Sequence, residues 1–206
     1  MPSLTLDALV AYVQSGGISF PTDTLAAVAA LPRQGQRLYK LKQRPPEKPL
    51  ILMAATADEL WSYTVGQPAE RRQWADVVAA HWPGPLTLVL PASDRLPAAM
   101  NPLQTGTIGI RIPNHPVARR VLALTGPLAT TSTNRSGEPA LNEPPEIAAA
   151  FPEVGLLETA AIDQILAQAD NASANTQPRQ ASGIASTVAQ WTDNDWQIIR
   201  QGTIHL

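Results

Sequence analysis

The sequence predicts an α/β fold with a mixed sheet, and three observations carry that prediction. Short apolar strands and helical segments intermingle along the 206 residues without a strict repeat. The segment Thr107-Ile108-Gly109-Ile110-Arg111-Ile112 alternates, with three isoleucines on one face and Thr107, Gly109 and Arg111 on the other. Proline and glycine punctuate the chain at Gly16-Gly17, Pro45-Pro46, Trp82-Pro83-Gly84-Pro85 and Gly126-Pro127, where one periodic segment gives way to the next.

Leu6, Leu9, Val10 and Val13 recur at helical spacing, and Gly16-Gly17 stops that helix. Ile18-Ser19-Phe20 reads as a short buried strand leading into Pro21-Thr22-Asp23-Thr24. Residues 34–41 read as helical, and Pro45-Pro46 ends them because proline lacks the amide donor and restricts its predecessor. The apolar run over 50–54 is short enough for a central strand. Thr56 with Glu59 forms a capping-box pattern that opens a helix to about Tyr63. Another helix fills 68–81, and the Trp82–Pro85 turn feeds a strand over 86–90. Asn114 is expected to cap a helix running from His115 towards Leu124, after which residues 128–131 return as a strand. A helix is expected near 144–151, a flexible Gln/Ala/Asn/Ser-rich connection over 164–182, and two last strands near 186–191 and 196–200.

A chain of this length buries a substantial core, and a single domain over residues 1–206 is the expectation. Hydrophobic content of 44% and charged content of 16% exclude a disordered chain. No apolar run approaches the ~20 residues that span a bilayer. The start Met1-Pro2-Ser3-Leu4-Thr5-Leu6-Asp7 lacks the basic-then-apolar order of a signal peptide. Zero cysteines excludes disulfides, thiolate metal sites and a thiol nucleophile, and with no export signal it fits a cytoplasmic protein. His81, His115 and His205 are too scattered to predict a metal site. A pI near 5.9 does not favour indiscriminate nucleic-acid binding.

Charge is nevertheless concentrated in one place. All three lysines lie in the window Lys40-Leu-Lys42-Gln-Arg44-Pro-Pro-Glu-Lys48, and with Arg33 and Arg37 residues 33–48 carry six cations against Glu47. Such a run fits either a solvated helix face or a phosphate-bearing ligand. Small hydroxyl residues follow several strands beside fixed cations: Thr22 and Thr24, Thr107 with Arg111, Ser132 with Asn134, Ser186 and Thr187 with Arg200. Hydroxyls and arginines bind carboxylate and phosphate oxygens, although Ser, Thr and Asn also cap helices and set turns. Arg111, alternating with isoleucines, requires an anionic ligand, a structural salt bridge or water. There is no GxxxxGK[ST] loop, GxGxxG turn or GxSxG elbow.

Six ordered segments together resemble the YrdC-like domain family, the threonylcarbamoyl-AMP synthases. They are Phe20-Pro-Thr-Asp-Thr24, Lys42-Gln-Arg44-Pro-Pro-Glu-Lys48-Pro-Leu50, Trp82-Pro-Gly-Pro-Leu-Thr-Leu88, Gly109-Ile-Arg111-Ile-Pro113-Asn-His115-Pro116, Thr131-Ser132-Thr-Asn134-Arg-Ser136-Gly137, and Ser186-Thr-Val188 followed by Arg200-Gln-Gly202. The length resembles the short, single-domain form. The resemblance implies a concave, twisted mixed sheet, parallel and antiparallel, with flanking helices around a ligand cavity. It implies L-threonine, bicarbonate and ATP as substrates, with magnesium accompanying the triphosphate. The product the resemblance implies serves N6-threonylcarbamoylation of adenosine 37 in tRNA. Implied partners are a downstream threonylcarbamoyl-transferase complex and, in a variant reading without synthesis, tRNA or double-stranded RNA held by the basic stretch. A third reading is carbamoyl transfer to another acceptor. Carried over by motif, Thr24, Arg111 and Ser186 are threonine contacts. Lys42, Arg44 and Lys48 resemble the phosphate-binding, catalytic cations of the family. By the same resemblance Thr107, Ser132, Asn134 and Arg200 are expected to complete the ATP site. Where relatives carry Tyr-Gly after the first segment, this chain has Ala26-Ala27.

Overall fold

A computed structural model describes residues 3–172 and 181–206. Its strands are β1 (Ser3–Leu4), β2 (Gly17–Phe20), β3 (Ala27–Ala30), β4 (Ile51–Met53), β5 (Leu86–Pro91), β6 (Thr107–Arg111), β7 (Leu128–Ser132), β8 (Val154–Leu157), β9 (Thr187–Thr192) and β10 (Asp195–Arg200). The helices are α1 (Leu6–Tyr12), α2 (Gln36–Lys42), α3 (Ala57–Trp61), α4 (Pro68–His81), α5 (Pro116–Thr125), α6 (Pro144–Ala150) and α7 (Thr159–Ala172). All ten strands join one sheet in the order β1-β8-β2-β3-β7-β4-β6-β5-β9-β10. The β1–β8, β2–β8, β4–β6 and β5–β9 pairs are parallel, and the other five are antiparallel. The sheet is therefore mixed, as the sequence predicts.

Register assigns the side chains to faces. Ala27 lies opposite Ser132, Ile51 opposite both Thr130 and Gly109, and Met53 opposite Arg111, so these positions share one face. The other face carries Val28, Leu52, Leu88, Ile108 and Ile110, buried with Leu38 of α2, Leu60 of α3, Trp74 of α4 and Ile147 of α6. The three isoleucines of the alternating segment thus form the centre of this core. On the first face Ile18, Phe20, Ala29, Met53 and Leu128 pack with Leu9 of α1, Val117 and Val121 of α5, and Ile165 of α7. Ala27, Ile51, Met53 and Arg111 of the same face also line a cavity.

Local signals explain most element ends. Glu59 Oε2 accepts from the Thr56 amide at 2.9 Å and from its hydroxyl at 2.8 Å, completing the box that starts α3. The cap of α5 is His115 rather than Asn114: its Nδ1 accepts from the Val117 amide at 3.2 Å, and Pro116 takes the first helical position. The connection expected over 164–182 is helical as far as Ala172, because Ala161 and Ile165 bury one face of α7. Residues 173–180 lie outside the described residues. Strands β1, β3 and β8 are additions to the elements read from sequence. Tyr12 closes over β8, where a Cβ on Gly155 would lie 2.9 Å from the tyrosine ring.

Ile110 is fully buried at the middle of β6, between β4 and β5. Ile110→Ala should lower unfolding stability by about 2–5 kcal/mol, read as a fall in denaturation midpoint with little change in slope.

Candidate functional site

Part of this sheet face forms the floor of a cavity of about 170 Å³. Its floor includes Ala27, Ile51 and Thr130, and its wall carries Thr24, Arg44, Arg111, Ser132, Ser186 and Arg200. The wall residues stand at strand ends or in the loops beside them, where backbone direction changes and side chains can turn inward.

Arg111 ends β6 and is 2% exposed, so its charge must be matched locally. Its Nη2 donates to Asp23 Oδ1 at 2.6 Å, its Nη1 to Thr24 Oγ1 at 2.9 Å, and its Nε to the Gly84 carbonyl at 3.0 Å. Among the described residues this is the only ion pair. Burial pulls the guanidinium below its ordinary pKa, and the Asp23 carboxylate opposes that pull. Three of five N–H donors are engaged, which leaves two for a ligand. Thr22 orders the loop: its hydroxyl donates to the Leu25 carbonyl at 2.6 Å and accepts from the Thr24 amide at 3.1 Å. With its one hydrogen committed, Thr22 Oγ1 can only accept from Thr24 Oγ1, 3.1 Å away. The Thr24 hydroxyl therefore presents an acceptor.

Two more guanidiniums face the same space. Arg44 donates to the Lys48 carbonyl at 2.8 Å and to the Pro49 carbonyl at 2.9 Å. Arg200 donates to the Ser186 carbonyl at 3.0 Å and to Ser186 Oγ at 3.1 Å. Ser186 is braced in turn by Thr87, 2.9 Å between hydroxyls. Burial lowers the pKa of both arginines, and Arg200 further disfavours the charge on Arg44 and on Arg111. Three cations that repel one another in one concavity form a preorganised anion site.

Lys42 and Asn134 stand behind this wall rather than in it. The Lys42 ammonium donates to the Ser132 carbonyl and, at 2.9 Å, to Asn134 Oδ1. Ser132 Oγ donates to the same Oδ1 at 2.6 Å, and Asn134 Nδ2 reaches the Arg135 and Glu138 carbonyls. Lys42 thus fastens the Ser132–Gly137 loop, and burial, aided by Arg44, lowers its pKa to about 7.

Of the ten residues the sequence singles out, Thr24, Arg44, Arg111, Ser132, Ser186 and Arg200 meet in the cavity. Lys48 is exposed and contributes its carbonyl to Arg44. Thr107, at the opposite end of β6 from Arg111, pairs with Thr105 at 3.1 Å and does not line the cavity. The basic stretch is consequently split: Arg44 faces the cavity, while Arg37 and Lys40 line a separate groove with Arg135. Sequence reasoning missed Asp23, although a strand arginine in need of an anion and an acid inside a Thr-Asp-Thr turn were both visible. At the Ala26-Ala27 substitution, Ala27 lines the cavity, whereas Ala26 belongs to the opposite core cluster and borders a second cavity beside Phe20 and Ile147. Among the described residues no three His, Cys, Asp or Glu side chains gather as a metal site, and the nearest carboxylate, Asp23, is bound to Arg111. These donors do not fit a resident divalent cation. No helix among the described residues is long and apolar enough to cross a membrane.

The Lys42 geometry has a pH signature. With a folded pKa near 7 against an ordinary 10.5, the unfolded chain holds this proton more tightly between those values. Stability should therefore rise with pH across about 7 to 10.5 on account of this group, and flatten outside the window. Lys42→Met should remove that component of the slope in denaturant melts recorded from pH 6 to 10; an unchanged slope would refute it.

Comparison with known proteins places this architecture. A family model described as Sua5_yciO_yrdC, "Telomere recombination", matches residues 11–202. The threonylcarbamoyl-AMP synthase of Stutzerimonas stutzeri (strain A1501) is 36% identical over 145 residues, covering 68% of this chain and 76% of that one. The protein of the same name from Halorhodospira halophila (strain DSM 244 / SL1) is 39% identical over 127 residues, covering 60% and 64% respectively. Among solved structures, P. abyssi Sua5 complexed with L-threonine superposes with a TM-score of 0.76 at 24% identity over 98% of this chain, which spans 56% of that one. E. coli YciO superposes with a TM-score of 0.74 at 22% identity, covering 96% of this chain and 89% of that one. These two likenesses speak to the fold, and the matched family model spans 11–202: the chain belongs to the Sua5/YciO/YrdC family.

Proposed function

We propose that the protein is a threonylcarbamoyl-AMP synthase, and the observation that carries this reading is the set of three guanidiniums around one hydroxyl-lined cavity. Curated relatives at 36–39% identity bear that name, and a solved relative holds L-threonine. The two open N–H donors of Arg111 take the amino acid's carboxylate. Arg44 and Arg200, with Ser132, take the phosphates of ATP, and Ser186 joins Arg111 and Thr24 as a threonine contact. The threonine amine combines with bicarbonate to give a carbamate and water. A carbamate oxygen then attacks the α-phosphorus while the bond to the β-phosphate oxygen breaks and pyrophosphate leaves. A carboxylate-like nucleophile approaching a polyanion meets severe repulsion, and fixed positive charge lowers that barrier. No protein nucleophile takes part, so positioning and charge screening supply the rate. Magnesium would arrive bound to the triphosphate and neutralise part of its charge. The adenylate would then pass to a transferase acting on tRNA.

The test is pyrophosphate release by purified protein given ATP, bicarbonate and L-threonine. Release should require threonine, and Arg44→Ala or Arg200→Ala should lower kcat by about 10²–10³-fold with the melting temperature nearly kept. Arg111→Ala should chiefly raise the threonine KM. ATP binding without threonine-dependent release would refute the reading.

A second reading, RNA recognition, is favoured by one observation. Arg37, Lys40 and Arg135 line a groove of about 550 Å³ away from the cavity, and the Arg135 guanidinium sits 5.7 Å from the Phe151 ring centre. A gel shift whose affinity falls steeply with salt, is lost in Arg37→Glu/Lys40→Glu and survives Arg44→Ala would support it; retention in the double variant would dismiss it.

A further inference from the structure

We infer that Asn142 is a positioning residue for the synthase reaction, acting through the backbone of Ala26 on the loop that carries Thr24; this rests on the synthase reading above. Strands β3 and β7 are antiparallel, with Ala27 opposite Ser132. The ladder runs one residue beyond both strands, where the Thr133 amide donates to the Ala26 carbonyl at 3.0 Å. Two residues paired in this way ordinarily exchange both hydrogen bonds, so the Ala26 amide would return one to the Thr133 carbonyl. Here that carbonyl accepts from the Leu141 amide at 2.7 Å instead. The Ala26 amide donates to Asn142 Oδ1 at 3.0 Å, across 116 positions of chain. The Asn142 side chain thus stands in for a ladder carbonyl.

The substitute matters because of what it holds. Ala26 is 4% exposed, and a backbone amide at that depth requires an acceptor. Two residues earlier stands Thr24, whose hydroxyl meets Arg111, so the entry of the chain into β3 sets where that hydroxyl points. The other side of the loop is fixed by backbone: the Ser182 and Gly183 amides donate to the Asp23 and Thr24 carbonyls at 3.0 Å each. Asn142 supplies the restraint on the β7 side, and it does so from outside the cavity. It borders the second cavity together with Ala26, and its own side chain is exposed. The nucleotide end has separate anchors. Lys42 holds the Ser132 carbonyl and Asn134, and its own carbonyl accepts from the Ser136 amide at 3.1 Å. Loss of the Asn142 acceptor therefore loosens the Thr24 loop and leaves the Ser132 loop fastened.

Two variants of nearly equal size separate the acceptor from the side chain's bulk: Asn142→Leu removes the oxygen and Asn142→Asp keeps it. In threonine-dependent pyrophosphate release, Asn142→Leu should raise the threonine KM about tenfold and leave the ATP KM within about twofold, and Asn142→Asp should restore the threonine KM. An unchanged threonine KM in Asn142→Leu, an equal rise in both KM values, or no rescue by Asn142→Asp would overturn the inference. Amide exchange followed by NMR reads the anchor without turnover. The Ala26 amide should exchange faster in Asn142→Leu and as in the unaltered protein in Asn142→Asp, while the Thr133 amide stays protected in both. Slow exchange at Ala26 in Asn142→Leu would overturn the anchoring whatever the kinetics show. Absence of threonine-dependent release from the unaltered protein would overturn the synthase reading, and with it the link to threonine, while the exchange result decides the anchoring by itself.

Discussion

The contact on which the site depends is the buried pair of Arg111 and Asp23, 88 positions apart in the chain. Removing a guanidinium from water costs several kcal/mol after relaxation, so it survives inside the fold only with a full set of partners. Here the partners come from two segments: Asp23 and Thr24 from the loop before β3, and the Gly84 carbonyl from the turn before β5. One side chain thus ties the end of β6 to both. The wall of the cavity takes its shape from that knot, and the knot is deliberately incomplete. Two N–H groups of Arg111 are not committed to protein acceptors.

Why the cavity's charge sits on arginines follows from the fate of its lysine. Lys42 is almost fully buried and its pKa falls to about 7, so at neutral pH it is an unreliable cation. A guanidinium starts far higher and stays charged under the same burial. Its five donors also permit a division of labour. Arg44 gives two hydrogen bonds to backbone carbonyls, and Arg200 and Arg111 one each, which fixes the planes. Anchoring through carbonyls holds each charge in place without neutralising it, and only Arg111 meets a carboxylate. The repulsion between these cations is then available to be relieved by an anion.

Where the sequence was legible, one local rule decided the outcome. The Ile108, Ile110 and Ile112 alternation, the Thr56/Glu59 box and the Pro-rich turn before β5 each survive in the structure because period, cap or ring geometry suffices. Strand β3 was hidden because Ala27-Val28-Ala29-Ala30 has weak strand preference, and its pairing with β2 and β7 decides its state instead. Helix α7 was hidden by polar composition, although Ala161, Ile162, Ile165 and Leu166 hold a helical stripe towards α5 and the sheet. The site was legible as a set of residue types and illegible as a geometry. Nothing local says that Lys42 turns behind Ser132, that Lys48 faces outward, or that Asp23 is the partner Arg111 requires. Those facts depend on contacts between residues tens of positions apart.

The mixed sheet is what makes such contacts possible. A wholly parallel sheet gathers only the carboxyl ends of its strands at one edge, so every functional loop has the same ancestry. In this fold three antiparallel pairs each set the end of one strand beside the start of another. Ser132 ends β7 opposite Ala27 at the start of β3, just after Thr24. Arg111 ends β6 beside the start of β5, just after Gly84. Arg200 ends β10 opposite Val188 near the start of β9, just after Ser186. Each pair contributes one residue leaving the sheet and one entering it, and in the last two pairs an arginine is bonded to the segment entering beside it. These crossings open onto the stretch of sheet that floors the cavity. Charge, hydroxyls and space coincide there because strand direction alternates, and a sheet rearranged to run in one direction would keep every residue type and lose the site.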